Sequence, residues 1–257
     1  MSSIDFNIKD AIATITLNRP EKLNSFDREM ALSMQLALDR CKADAVRCVY
    51  ITGAGKGFCA GQDLAEVVAP NAPGFDTILI EHYNPIITRI RDLEKPVVAA
   101  VNGVAAGAGA NIALCCDIVV AASSASFIQA FSKIGLIPDS GGTYFLPRLV
   151  GWQKASALMM LGDKISAEEA ERMGMIYKVF PETTFREEAG QLAQRLAEMP
   201  TRGLAYTKKI LSESFTSNLN DQLYKENIYQ QKAAETSDYA EGVKSFMQKT
   251  KPVFTGS

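Results

Sequence analysis

The sequence predicts an α/β protein, with an α/β core over residues 1–195 and a helical C-terminal part over residues 196–257. Two patterns predict this. Short apolar runs that alternate like strands recur ahead of runs with helical spacing, an order that favours sheets covered on both faces. Beyond residue 150 the pattern turns mostly helical. A chain of 257 residues, 47% hydrophobic and 22% charged, can bury one substantial core.

Each element has its own signal. Ile12-Ala-Thr-Ile-Thr-Leu17 alternates as a strand does and stops at the turn signal Asn18-Arg19-Pro20. Asp27 opens a helix over 28–41, with Met30, Leu32, Met34, Leu36 and Leu38 as its apolar residues. Residues 46–52 read as a buried strand leading into Gly53-Ala-Gly-Lys-Gly-Phe58. The segment 67–75, with two prolines, reads as an exposed loop. A helix over 76–93, a strand over 96–101, a helix from about Ala108, a strand over 117–121 and an extended piece around Phe127 continue the alternation. Ser166-Ala-Glu-Glu169 is a capping box ahead of a helix. Helices over 187–198, 206–214 and 221–234 complete the chain.

Composition narrows the function. A net charge of −2 gives no electrostatic reason to expect nucleic acid or an anionic membrane as partner. The first residues, Met1-Ser2-Ser3-Ile4-Asp5, lack the basic-then-apolar pattern of a signal peptide. Cysteines at 41, 48, 59, 115 and 116 are odd in number and have no C-x-x-C spacing, which suits a reducing cytoplasm. The single histidine, His82, argues against a metal site and against mechanisms built on a Ser-His or Cys-His pair. It has no visible partner and reads as a surface or packing residue. Residues 96–116 carry no charge, yet their glycines, alanines and two asparagines read as a strand, a small-residue loop and a helix, not a membrane span.

Two glycine-rich segments invite a nucleotide reading and fail it. Gly53-Ala-Gly-Lys-Gly-Phe58 lacks the Lys-Ser/Thr of a P-loop, and Gly103-Val-Ala-Ala-Gly-Ala-Gly-Ala110 lacks G-x-G-x-x-G spacing. The second segment offers a ligand access to main-chain N–H groups ahead of a helix. Close packing of that helix on a sheet explains it as well.

Read together, the motifs Phe58-Cys-Ala-Gly-Gln-Asp-Leu64, Val101-Asn-Gly-Val-Ala-Ala-Gly-Ala-Gly-Ala110 and Gly135-Leu-Ile-Pro-Asp-Ser-Gly-Gly-Thr143 change the balance. Preceded by Asn18-Arg-Pro-Glu-Lys-Leu-Asn-Ser25 and succeeded by Gly174-Met-Ile-Tyr-Lys-Val179 and Lys251-Pro-Val-Phe-Thr-Gly256, they resemble the enoyl-CoA hydratase/isomerase (crotonase) family over essentially the whole chain. The resemblance implies a spiral of repeated ββα units with a helical C-terminal part that serves oligomerisation, as a homotrimer or dimer of trimers. It also implies an acyl-CoA thioester substrate, with CoA part of that substrate and no separate cofactor.

Carried over residue by residue, the resemblance places an oxyanion hole at the main-chain N–H groups of Gln62 and Ala108. Fixed N–H dipoles stabilise a thioester enolate without reorganising. Gly61, Gly107 and Gly109 would keep side chains out of the way. Lys22, Leu23 and Ala60 match the contacts to the CoA nucleotide, although Lys22 also reads as an ordinary solvated lysine. Asp63 is expected to order the loop that holds Gln62.

Hydratases of the family use two glutamates, and here the matching positions are Asn111 and Phe131. Asp139 instead carries the carboxylate, as in the isomerase branches, and reads as the proton carrier. A helix N-cap ahead of Ser140-Gly141-Gly142 is its other reading. The implied reactions are opening of ring-1,2-epoxyphenylacetyl-CoA to an oxepin thioester and a double-bond shift in an enoyl-CoA. Hydratase-like activity, aryl-CoA dehalogenation and, in another class, RNA binding remain as alternatives. The last wants a basic stripe, for which Lys208-Lys209 is the one cluster.

Overall fold

In Ile12–Leu17 the side chains of Ala13, Ile15 and Leu17 are buried and the residues between them are not, the period-two signature that makes it a strand. The computed structural model describes residues 2–257. Two strands begin it, β1 (Ile4–Lys9) and β2 (Ile12–Leu17), an antiparallel hairpin closed at Asp10 and Ala11, both with positive φ. Helix α1 (Arg28–Arg40) comes after them, its first turn capped by Asp27, which accepts from the Met30 N–H.

Two strands and two short helices come next: β3 (Cys48–Gly53), β4 (Gly57–Cys59), α2 (Leu64–Val67) and α3 (Phe75–Thr77). The helix expected over 76–93 is interrupted by a π turn over Ile78–Tyr83 before α4 (Asn84–Asp92). Then come β5 (Val97–Val101), β6 (Val104–Ala106), α5 (Ala108–Leu114), β7 (Ile118–Ala122) and β8 (Ser126–Ile128). A 3-10 turn at Ala130–Ile134 leads to α6 (Gly142–Val150), α7 (Trp152–Leu161), β9 (Lys164–Ser166), α8 (Ala167–Arg172) and β10 (Lys178–Phe180). Ser166 accepts from the Glu169 N–H, as its capping box predicts. The chain ends in α9 (Phe185–Ala197), α10 (Thr201–Ser214), α11 (Leu219–Ala234) and α12 (Ser237–Gln248).

Six strands form one sheet in the order β1-β2-β3-β5-β7-β10, and four form another in the order β4-β6-β8-β9. Consecutive strand pairs β3/β4, β5/β6 and β7/β8 each place one member in either sheet before the chain turns helical, which is the repeated ββα spiral. Strand β5 is parallel to both of its neighbours and buried on both faces, so it reads Val-Val-Ala-Ala-Val without alternation. The uncharged stretch resolves into β5, β6 and α5. Among the described residues, no helix is long and apolar enough to cross a membrane.

Polar side chains join the C-terminal part to the core. The buried Lys208 ammonium of α10 donates to the carbonyls of Ile90 at 2.7 Å and Lys95 at 3.2 Å and pairs with Asp117 at 2.9 Å. Lys208 is thereby removed from the surface, which leaves Lys209 as the exposed member of the Lys208-Lys209 pair. Arg47 at the start of β3 holds the carbonyls of Met199 and Phe254, each at 2.7 Å.

Candidate active site

Gly61 is the conformational pivot of the first segment. Its φ of +93° suits glycine, and its carbonyl accepts from the Phe26 N–H at 2.7 Å. In a trans peptide the C=O and the following N–H point in opposite directions. The Gln62 N–H is therefore directed away from Phe26. Asp63 continues the anchorage: its N–H donates to the Phe26 carbonyl at 2.8 Å, and its carboxylate takes Arg19 at 2.9 Å and caps α2 at Ala65. Asp63 orders this loop, as expected.

The second segment obeys the same logic. Gly107, with φ +52°, turns the chain from β6 into α5, and its carbonyl accepts from Asn111 N–H at 3.1 Å. The Ala108 N–H, first in the helix, thus projects from the helix start. Among the described residues, neither Gln62 nor Ala108 finds a main-chain acceptor for its N–H. A β-carbon at Gly61 would stand 3.0 Å from the Ala106 carbonyl oxygen and 3.5 Å from the Ala108 nitrogen, so the two segments lie against each other. Gly109 faces elsewhere. Its absent side chain lets α5 approach the Cys59 carbonyl, where a β-carbon would come within 2.4 Å. Close packing explains Gly109.

The turn at Lys22 and Leu23 joins the same region. Leu23, with φ +48°, accepts from the Ala60 N–H at 2.9 Å, while Lys22 stands exposed beside it. Buried Asn24 fixes the turn by donating to the carbonyls of Ala54 and Gly57. Lys22, Leu23, Ala60 and Gly61 are therefore brought together.

Asp139 is tied to α5 through its main chain. Its main-chain carbonyl accepts from Asn111 Nδ2 and from the Gly142 N–H, both at 2.8 Å, which sets it about one helical turn along α5 from Ala108. Burial raises its pKa, and a hydrogen bond from the Ser140 hydroxyl at 2.8 Å opposes the rise. The N-cap reading is corrected: α6 begins after Gly141, and the Asp139 carboxylate caps no helix N–H. Asn111 is fully buried, and Phe131 packs toward Gly107. Neither side chain can exchange a proton.

Three further residues were not legible as site residues. The Tyr83 hydroxyl donates to Gln62 Oε1 at 2.9 Å, Gln62 Nε2 donates to Glu66 at 2.7 Å, and Gln129 Nε2 donates to Asn111 Oδ1 at 2.8 Å. Burial pushes the Tyr83 pKa well above its ordinary value, and the carboxylates around it, Asp139 among them, push it the same way. His82, its neighbour, is a packing residue: it is buried, and its Nε2 lies 3.4 Å from Arg28. Glu81 pairs with Arg28 at the surface, and Cys115 and Cys116 are buried in the core.

Two sheets in a ββα spiral, with two N–H groups turned out by glycine pivots and a half-buried Asp139 on a loop bonded to α5, define a crotonase-fold enzyme that handles acyl thioesters. The chain belongs to the enoyl-CoA hydratase/isomerase family, whose description matches residues 7–257. It is 48% identical to the 1,2-epoxyphenylacetyl-CoA isomerase of Escherichia coli K12, over 100% of this chain and 99% of that protein. It is 34% identical to the trans-2-decenoyl-[acyl-carrier-protein] isomerase of Streptococcus mutans, over 98% and 97% of the two chains. An enoyl-CoA hydratase structure from Bacillus anthracis superposes with a TM-score of 0.94 at 31% identity, covering 99% of this chain and 100% of that one.

Proposed function

We propose that this enzyme is an acyl-CoA isomerase acting on ring-1,2-epoxyphenylacetyl-CoA, which it converts to the oxepin thioester, or shifting the double bond of an enoyl-CoA. One observation carries the reading. Asp139 is a half-buried carboxylate on a loop whose main chain is bonded to α5 through Asn111, whereas the positions that bear glutamate in hydratases hold Asn111 and Phe131. The relative that acts on the epoxide, by its name, supports the substrate.

The thioester carbonyl would lie against the N–H groups of Gln62 and Ala108, each worth about 3 kcal/mol of barrier. That contact acidifies the carbon next to the carbonyl. Asp139 takes a proton there and returns it elsewhere on the acyl group, or transfers it as the strained C–O bond opens. No water is added, so one carboxylate suffices. CoA belongs to the substrate, with Lys22, Leu23 and Ala60 beside its nucleotide, and no separate cofactor takes part. We infer also a cytoplasmic homotrimer or dimer of trimers, for which exposed Trp152, Tyr224 and Phe246 supply apolar contact area.

The test is a panel of CoA esters, including epoxyphenylacetyl-CoA and a 3-enoyl-CoA, offered to the native enzyme and to Asp139→Asn in oxygen-18 water. Native turnover without label, abolished in the variant while CoA-ester binding persists, supports isomerisation. Label in the product marks hydration or hydrolytic displacement instead, and full activity in the variant rejects the role of Asp139.

A further inference from the structure

The π turn at Ile78–Tyr83 has a consequence for the oxyanion loop. One extra residue in a helix rotates the downstream residues by about 100°, the angle each residue contributes, and strands nearby carbonyls. Gln35 of α1 compensates here: its Nε2 donates to the carbonyls of Glu81 at 2.6 Å and His82 at 3.2 Å. The turn delivers Tyr83 to Gln62, with its ring buried and 5.9 Å from that of Phe26.

The direction of the resulting chain is fixed from its far end. A carboxylate only accepts, and Glu66 takes the Arg28 N–H at 2.9 Å and Gln62 Nε2 at 2.7 Å. The Gln62 amide must therefore turn its oxygen to Tyr83, whose hydroxyl donates. Gly61, immediately before Gln62, is the most freely rotating residue of the loop. Its carbonyl is pinned by Phe26 on one side, and the Gln62 side chain is held at both ends on the other.

We propose that Tyr83 and Glu66 are positioning residues for the Gln62 N–H, clamping the Gln62 side chain so that the oxyanion donor keeps one direction. This rests on the oxyanion role of Gln62 proposed above. Tyr83 has no acid–base part in it, because its proton is committed to Gln62 and burial keeps the hydroxyl protonated.

The experiment reads the donor directly. The carbonyl stretch of [1-13C]acetyl-CoA is recorded bound to the native enzyme, Tyr83→Phe, Glu66→Ala and Glu66→Gln, alongside kcat, KM and the pH profile of isomerisation. The bound native carbonyl is expected to shift to lower frequency. Tyr83→Phe and Glu66→Ala lose part of that shift and about tenfold in kcat, with KM within about twofold and the acid limb of the pH profile unmoved. Glu66→Gln retains both with the Gln62 amide reversed: its oxygen takes the Arg28 N–H, its NH2 donates to Gln62 Oε1, and the Tyr83 hydroxyl oxygen accepts from Gln62 Nε2. Full shift and kcat in Tyr83→Phe and Glu66→Ala overturn the proposal, as does a displaced pH profile in Tyr83→Phe. A native enzyme without any shift overturns the oxyanion role of Gln62 itself.

Discussion

The side chain of Asn111 donates from Nδ2 to the main-chain carbonyl of Asp139 at 2.8 Å, from a position that is wholly buried. A carbonyl can only accept, so the amide orientation is settled: Oδ1 must face Gln129, whose Nε2 donates to it at 2.8 Å. Gly142 makes the approach possible, since a β-carbon there would come within 2.4 Å of Asn111 Nδ2. One helix thus presents Ala108 at its first residue and, a turn later, the side chain that holds the Asp139 loop. The main chain of Asp139 is thereby fixed relative to the Ala108 N–H by a rigid element, the kind of support that the proposed proton transfer would need.

Asn111→Asp tests this with almost no change in shape. The substituted carboxylate still accepts from Gln129 but faces the Asp139 carbonyl with an acceptor. We expect kcat to fall at least about tenfold, with a stability loss of about 1–3 kcal/mol from the broken buried bond. Steady-state kinetics and urea unfolding check both, and native kcat would show that the bond does not position Asp139.

Gln62, Ala108 and Asp139 are legible as candidates because each sits beside residues whose backbone leaves a mark in sequence. Gly61, Gly107 and Gly141 all adopt positive φ, and such glycines stay in fixed order along the chain. Gly109 shows the limit of that signal: a glycine packed against Cys59 looks no different in sequence from one that gives ligand access. Tyr83, Glu66 and Gln129 carry no local signal. Tyr83 reaches Gln62 through a π turn that apolar spacing does not encode, and Gln129 meets Asn111 only across the folded core. Strand β1 leaves no alternation in the sequence because it is an edge strand with one buried side chain, Ile4, in six residues. The ββα spiral itself could be inferred only from the family motifs, because alternation of strands and helices does not say which sheet each strand joins.

Burial of Asp139 has a sign that stability measurements can read. Its folded pKa lies above the ordinary aspartate value of 3.8. Between those two values the folded state binds more protons than the unfolded one, so stability falls as pH rises through that window. At neutral pH the ionised carboxylate is a destabilising group, and Asp139→Asn should melt higher than the native enzyme. The difference should shrink as pH falls through the folded pKa and vanish near 3.8. The acid limb of kcat/KM in the native enzyme should be displaced upward in step. A variant less stable than native at every pH would mean that the carboxylate is satisfied by contacts other than Ser140.

Lys208 ties the C-terminal helices to the core, and its removal should separate stability from chemistry. Its ammonium has three N–H donors and three acceptors, the carbonyls of Ile90 and Lys95 and the carboxylate of Asp117. In Lys208→Met the two carbonyls lose their donor. Asp117 keeps Arg91 and the Val97 N–H, each at 2.9 Å, so the charge left behind is still partly paired. Breaking a buried pair of this kind costs about 3 kcal/mol, and methionine recovers little of it because the lost bonds are to carbonyls. Urea unfolding should show that loss, while kcat per folded molecule at low temperature stays native, since Ile90 lies at the end of α4 remote from Tyr83. A loss below about 1 kcal/mol would mean that water replaces the ammonium and that α10 is held by its apolar face alone.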